Sequence, residues 1–415
     1  MFFLGAIFGT VGLLTACFNI WGPDFRHNDN EATNERLAQL KNTIALSVQG
    51  LFVFLILLFA FVPAVRDPCF GDDPATRKQT ELLIVVCVLF ALACYPSFVA
   101  QGTLNEIAAH LPQRADMAPL SQLAWIGGVS CALLMGLLRV ALRSALHDNF
   151  DTQGVIFLGT SAALSFSGIA VQPLVQSQLL YKKPPPVDGP ARPEQEEEEE
   201  EPPNAAGGDG ETEPLLAPAP VDVHVQARAR ATSQDRLAAK PMSLQQVLVR
   251  LWPYYFVMAF DFFYMMALYP GVLSVLQGKN QTSSFFTDIL FLAFNFGDFV
   301  GKVLPSFLPL AKERIRVRIV LMCAEVVTLA PLVVFSALFD ELHIQAFAYV
   351  LAGVMAACHG YISVCTIGAV SALAEHWHEV ERRRAGELCF SSCFFGVGIG
   401  SLLAVGLNYT PLVSP

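Results

Sequence analysis

Apolar residues along this chain gather in long, unbroken blocks. Ten such blocks cover residues 2–21, 43–65, 81–104, 119–142, 154–180, 251–276, 285–309, 317–339, 345–374 and 385–407. Each is long enough for a helix to cross a hydrocarbon layer about 30 Å thick. A chain inside lipid must satisfy its own backbone polar groups, as a helix or a closed barrel does. The blocks are continuous and lack the period-two alternation of barrel strands, so they predict membrane helices. The expected fold is all-α: a polytopic membrane protein with ten spans present.

One interval differs in kind. Residues 181–243 contain Pro184, Pro185 and Pro186, then six consecutive glutamates at 196–201, then Gly207, Gly208 and further prolines. Such a segment has too little apolar surface to offset the entropy of ordering it. The expected organisation is therefore a membrane bundle of five helices over 1–180, a disordered acidic linker over 181–243, and a second five-helix bundle over 244–415.

Composition agrees with this pattern. The chain is 54% hydrophobic and 15% charged, against about 25% charged residues in soluble domains. The formal net charge is −10, but thirteen acids against five bases between Pro184 and Met242 account for −8 of it. The acidity thus belongs to the linker. No basic patch interleaved with aromatics is present, which argues against nucleic-acid binding. The ten cysteines lie mostly within apolar blocks (Cys87, Cys94, Cys131, Cys323, Cys358 and Cys389 among them) and show no zinc spacing. No phosphate-binding loop, HExxH or nucleophile elbow occurs. Neither enzymatic chemistry, a cofactor nor a metal is expected.

Loop charges predict orientation, because cytoplasmic loops are enriched in Lys and Arg. Numbered after each block, with Arg139 counted beside Arg143 in the fourth loop and Arg318 in the seventh, the odd loops hold nineteen Lys and Arg and the even loops six. The odd loops, the linker among them, are expected in the cytoplasm, with the C-terminus on the opposite side. With ten spans, Met1 would then also lie outside, yet no charged flank precedes the first block to set that orientation. The pattern fits a chain with one more helix ahead of Met1. The first block is not a signal peptide, since it lacks a basic leading region.

The most informative block holds the string FNFGDFVGK, with Asn295, Asp298 and Lys302. On a helix these sit at i, i+3 and i+7, on one face, and Asp298 precedes Lys302 by four residues, the favourable order for an ion pair. Ionisable groups inside membrane helices are costly and generally face a bundle interior or a water-filled cavity. A paired carboxylate and ammonium suits an uncharged ligand rich in hydroxyls. The alternative is a pair that joins two helices or sits at a helix end.

This string resembles the eighth-helix signature of the equilibrative nucleoside transporters: Phe-Asn, then Asp three residues after the Asn, then Gly-Arg. Gln101, Gly102, Thr103, Leu104, Ala108, Leu111 and Pro112 resemble the family's fourth helix at the same spacing. Tyr269, Pro270, Gly271 and Val272 resemble the seventh. His359, Gly360, Tyr361 and Ser363 resemble an Asn-Gly-Tyr with a nearby Ser in the tenth. Ala385, Gly386, Gly396, Gly398 and Gly400 resemble the eleventh. So aligned, the ten blocks correspond to helices two to eleven of an eleven-helix family, and the long loop falls between the sixth and seventh.

The resemblance implies a major-facilitator-like pair of bundles around a central cavity, with substrate near the membrane midplane. It implies that Gln101 hydrogen-bonds the base, that Asp298 and Lys302 hold the ribose hydroxyls, and that Asn295 orients Asp298 or touches substrate. An interhelical hydrogen bond is the alternative role for Gln101. Lys302 stands where the family has arginine; it keeps the charge and loses the planar fork. The family's stacking aromatic lies in its first helix and has no counterpart here.

Further residues stand out. Glu106, Asp261 and Glu325 are acids within or near membrane blocks and are candidates for proton coupling. Their alternatives are a snorkelling residue for Glu106 and satisfied structural acids for the other two. The aromatic clusters Phe262, Phe263, Tyr264 and Phe394, Phe395 read as packing or lipid-facing groups, with base-stacking as the alternative. Gly5, Gly9 and Gly12 read as a close helix contact, and Arg382, Arg383 and Arg384 as a topology determinant. Within the linker, Glu211, Leu215 and Leu216 fit an acidic dileucine sorting signal read by adaptor proteins; a passive linker is the alternative. Asn280-Gln-Thr in an exterior loop fits a glycosylation acceptor, whereas Asn408-Tyr-Thr lies close to the membrane.

The expected function is transport of nucleosides, or nucleobases, by facilitated diffusion through alternating access. The expected location is the plasma membrane or an endosomal or lysosomal membrane. A proton-coupled symporter of the same fold and a non-transporting membrane protein are the competing readings.

Overall fold

The computed structural model of the chain describes residues 31–62, 81–82, 84–93, 120–146, 149–179, 242–272, 285–310, 314–331, 344–374, 377 and 379–408, together with residues 10, 11 and 14. Eight long helices account for most of them: α1 (Glu31–Phe61), α2 (Leu120–Leu146), α3 (Phe150–Leu179), α4 (Leu244–Met266), α5 (Phe285–Val303), α6 (Ile315–Ala324), α7 (Ile344–Ala374) and α8 (Glu379–Asn408). Among the described residues there is no strand. The chain divides into two units, residues 1–173 with 242–415, and residues 174–241; every contact below lies within the first.

Among the described residues, six stretches are long and apolar enough to cross a membrane: Thr43–Phe61, Trp125–Leu146, Leu244–Tyr269, Phe286–Ser306, Ala346–Ala374 and Arg384–Gly406. Shorter apolar helices occupy Ile84–Ala93 and Thr152–Leu164. Large side chains stand exposed along them, including Val249, Trp252, Phe296 and Val350. Outward apolar surface on this scale suits a hydrocarbon surround. The protein is an all-α polytopic integral membrane protein, as its apolar blocks predict.

Helix α4 begins seven residues ahead of the apolar block that predicts it. Its start is fixed by a capping box: Gln246 N donates to Ser243 Oγ (3.3 Å) and Ser243 N donates to Gln246 Oε1 (2.8 Å). Apolar content alone places the start too late because this first turn is polar. At the far end, α4 runs into a wider turn over Ala267–Val272, where Tyr269 leaves the helical region (φ −127°, ψ 129°). Pro270 causes this, since a proline's ring disfavours helical geometry in the residue before it. The Tyr269 ring stacks on Phe294 of α5 (centroids 3.7 Å apart, planes 5° apart) and meets the edge of Phe291 (4.8 Å). The bend is therefore pinned to the helix that carries the charged motif.

Two seams of small residues set the packing. On α5, Gly297 and Gly301 lie one turn apart against the backbone of Gly353 and Ala357 on α7, so close that an added methyl group at either position would collide with a carbonyl. On α8, Gly396 and Gly400 meet the backbone of Ala259 and Phe263 on α4 in the same way. Association of helices in lipid gains nothing from apolar burial alone, and small residues permit the close approach that replaces it. The glycine run at 396–400 thus has a mechanical role. Helix α2 packs against α5 and α7.

Candidate functional site

The seam between α5 and α7 positions the charged pair. Lys302 Nζ donates to Asp298 Oδ2 at 2.5 Å, and both side chains are buried. The i,i+4 spacing on one helix face brings them together. Gly360 of α7 leaves the room they need: a Cβ there would lie 2.6 Å from the Asp298 carbonyl oxygen and 2.8 Å from Asp298 Oδ1. That second oxygen, Oδ1, is buried and accepts no hydrogen bond among the described residues. A buried acceptor without a donor is costly, so the site holds an unsatisfied demand for a hydroxyl or amine.

Helix α2 closes the site from the other side. The Lys302 ammonium lies 5.3 Å from the centroid of the Trp125 ring, over its face. Trp125 in turn meets Phe262 of α4 (5.9 Å, planes at 58°), and Phe262 meets the His359 ring edge-on (4.8 Å, 78°). Phe390 and Phe394, themselves edge-to-face at 4.5 Å, pack against Trp125 as well. Asn295, one turn before Asp298, turns its amide toward α2: Nδ2 lies 3.5 Å from Ala132 O and beside Gly136.

A second polar cluster sits deeper between α4, α6 and α7. His359 Nδ1 lies 2.9 Å from Asp261 Oδ2, an ion pair whenever the ring carries both protons. Tyr264 donates from its hydroxyl to Asp261 Oδ1 (3.4 Å). Glu325, where α6 passes into a wider turn over Glu325–Leu329, faces the same Tyr264 and Asp261. Among the described residues, neither Glu325 oxygen has a hydrogen-bond partner of ordinary geometry. Asp261 and Glu325 are both essentially inaccessible to solvent. Asp261 also feels the charge of Asp298, so the two clusters are electrostatic neighbours.

A family model described as "Nucleoside transporter" matches residues 83–409, well over half of the chain. The chain belongs to the nucleoside transporter family. No curated protein matches it. In this family member, then, the motif that carries the sequence resemblance is also the buried charged pair on α5.

Of the candidate substrate and proton-coupling residues, Asn295, Asp298 and Lys302 lie on α5, Asp261 on α4, and Glu325 directly after α6. Gln101, Glu106, Asn280, Glu211, Leu215 and Leu216 lie outside the described residues. Sequence reasoning misses Trp125, one aromatic in an apolar block with no motif around it. It also reads His359 only as part of a family string and not as the partner of Asp261. It assigns Arg139 and Arg143 to a loop. They belong instead to α2, which runs on to Leu146. Arg139 Nε donates to Asp288 Oδ1 at 2.6 Å, and Arg143 Nε stands 3.7 Å from Oδ2. Pairing with a buried carboxylate on the first turn of α5 lets two charges remain within a membrane helix. Asp288→Asn is expected to lower the thermal stability of the detergent-solubilised protein by about 2 kcal/mol, the scale of a charged hydrogen bond. The loss comes from the ionic hydrogen bond that the buried carboxylate accepts, since the Arg139 side chain is itself 41% exposed; a melting curve of the variant checks this.

Proposed function

We propose that this transporter carries nucleosides, and nucleobases less readily, across its membrane by alternating access and down the concentration gradient. The observation that carries the reading is the buried Asp298–Lys302 pair with its open acceptor, Asp298 Oδ1. A ribose offers adjacent hydroxyls. One donates to Oδ1 and another accepts from the ammonium, which has more than one proton to give. The pair is neutral overall, so an uncharged sugar binds without leaving a net charge in lipid. Asn295 and, by resemblance, Gln101 belong to the same site. Residues 1–180 and 244–415 act as the two rocking bundles, joined by the linker 181–243.

The loop charges support a cytoplasmic linker and an extracytoplasmic C-terminus. In that orientation Arg139, Arg143 and Asp288 sit at the exterior end of α2 and α5 and hold these two helices together there. Glu211, Leu215 and Leu216 act as the sorting signal that directs the protein to endosomal or lysosomal membranes through adaptors, and Asn280 accepts a glycan. The test of transport is uptake of radiolabelled adenosine and uridine by proteoliposomes containing the purified chain. Flux that saturates and is blocked by unlabelled nucleoside supports the reading; flux no greater than in empty vesicles refutes it.

One observation favours a second reading, proton-coupled symport. Asp261, His359 and Glu325 gather around Tyr264 in a buried cluster next to Asp298, with Cys358 and Cys393 also facing Asp261 and Lys302 facing Cys393. Such a cluster can hold and pass a proton. In this reading an inward proton gradient raises initial uptake several-fold and His359→Gln removes the increase. Uptake that ignores an imposed gradient excludes it.

A further inference from the structure

We propose that Trp125 is the first bundle's contribution to substrate recognition, with the face that now meets the Lys302 ammonium taking the flat face of the nucleoside's base. This rests on the nucleoside reading of the Asp298–Lys302 pair and adds to it the residue that reads the aromatic half of the substrate.

Three observations converge on the indole. The first is position. Lys302 Nζ is 5.3 Å from its ring centroid, and Asp298 Oδ2 is 2.5 Å from the same ammonium. In a nucleoside the base is joined directly to the ribose. A sugar held by Asp298 and Lys302 therefore brings its base within reach of a ring that already touches Lys302. The second is the ring's surroundings. Phe262 crosses it at 58°, Phe390 and Phe394 pack against it, and it is only partly buried. The aromatic neighbours fix the indole's orientation, and the Lys302 ammonium meets its face. A face that attracts an ammonium through its π electrons also accepts a flat heterocycle. The third is origin. Trp125 belongs to α2, whereas Asp298 and Lys302 belong to α5. A substrate bound between them touches both helices and so senses their separation, as a carrier that alternates between two openings requires.

In the absence of substrate, Lys302 is shared between the Asp298 carboxylate and the indole face. On binding, the base takes the indole and the ammonium turns to the ribose hydroxyls, remaining paired with Asp298. The exchange replaces a cation–π contact by base stacking and leaves no buried charge without a partner. It also gives a rule for selectivity: a purine covers more of an indole than a pyrimidine, so adenosine depends on Trp125 more than uridine does.

The test uses the full chain in proteoliposomes and in detergent. Trp125→Ala is expected to raise the KM for adenosine about ten-fold or more, the scale of base–aromatic stacking, with a smaller rise for uridine and little change in maximal rate. Trp125→Phe, which keeps an aromatic face, should restore most of the affinity. As a second readout, adenosine should quench the tryptophan fluorescence of the unaltered protein over the concentration range that saturates transport, and Trp125→Phe should remove that quenching; this decides the matter even where Trp125→Ala does not fold. An unchanged adenosine KM in Trp125→Ala, a loss of rate alone, or quenching that persists in Trp125→Phe overturns the proposal while leaving nucleoside transport standing. Absence of any nucleoside flux or quenching in the unaltered protein overturns both.

Discussion

Asp298→Asn is expected to reduce saturable nucleoside uptake about a hundred-fold with the protein still inserted and monodisperse. Two losses combine. A hydrogen bond from a ribose hydroxyl to a carboxylate contributes about 1.5–3 kcal/mol, and each 1.4 kcal/mol is a factor of about ten in affinity. The amide also removes the charge that neutralises Lys302, which lies buried 2.5 Å from Asp298 Oδ2. An ammonium stranded in a low-dielectric site no longer stays in place to donate to the sugar. Lys302→Met should have an effect of the same order for the complementary reason. The double variant Asp298→Asn with Lys302→Met should lose little more than either single one, because the two groups act as a unit. Lys302→Arg should keep substantial flux, since the charge remains and the family resemblance places arginine at this position. Initial uptake rates at several adenosine concentrations separate these outcomes.

Gly360→Ala should be nearly as damaging, although it changes no charge. The new Cβ would lie 2.6 Å from the Asp298 carbonyl, 2.8 Å from Asp298 Oδ1 and 3.1 Å from the Lys302 backbone nitrogen. Backbone cannot swing aside as a flexible side chain does, so α5 and α7 must separate or the carboxylate must move. Overpacking of this kind costs about 1–3 kcal/mol, and a shift of the carboxylate by a few tenths of an ångström disturbs its hydrogen bonds to substrate. Gly368→Ala on the same helix is the internal control, because none of the described residues packs within 4 Å of a Cβ there. It should be neutral or slightly stabilising through helix propensity. Uptake and thermal stability measured on both variants distinguish a seam effect from a general intolerance of α7 to alanine.

Much of this was legible in the sequence for physical reasons. Membrane helices announce themselves through unbroken apolar runs, and the i,i+4 pairing of Asp298 with Lys302 follows from helical geometry alone. What sequence spacing does not carry is contact between distant helices. Trp125 stands 177 positions from Lys302, and nothing local to it marks the contact. Arg139 and Arg143 look like loop charges because their counter-charge, Asp288, comes from another helix. His359 becomes meaningful only beside Asp261. The glycines at 297 and 301 form a recognisable small-residue spacing, but that they meet Gly353 and Ala357 rather than lipid is a property of the assembled bundle. Helix α4 starts ahead of its apolar block because a capping box is a polar signal, which apolar runs do not carry.

The most direct test of nucleoside transport by alternating access is counterflow. Proteoliposomes loaded with excess unlabelled adenosine and diluted into a trace of labelled adenosine should accumulate label transiently above its external concentration, then release it as the internal pool drains, and Asp298→Asn vesicles should not. Label that merely rises to equilibrium at the same rate with and without internal adenosine would contradict the account.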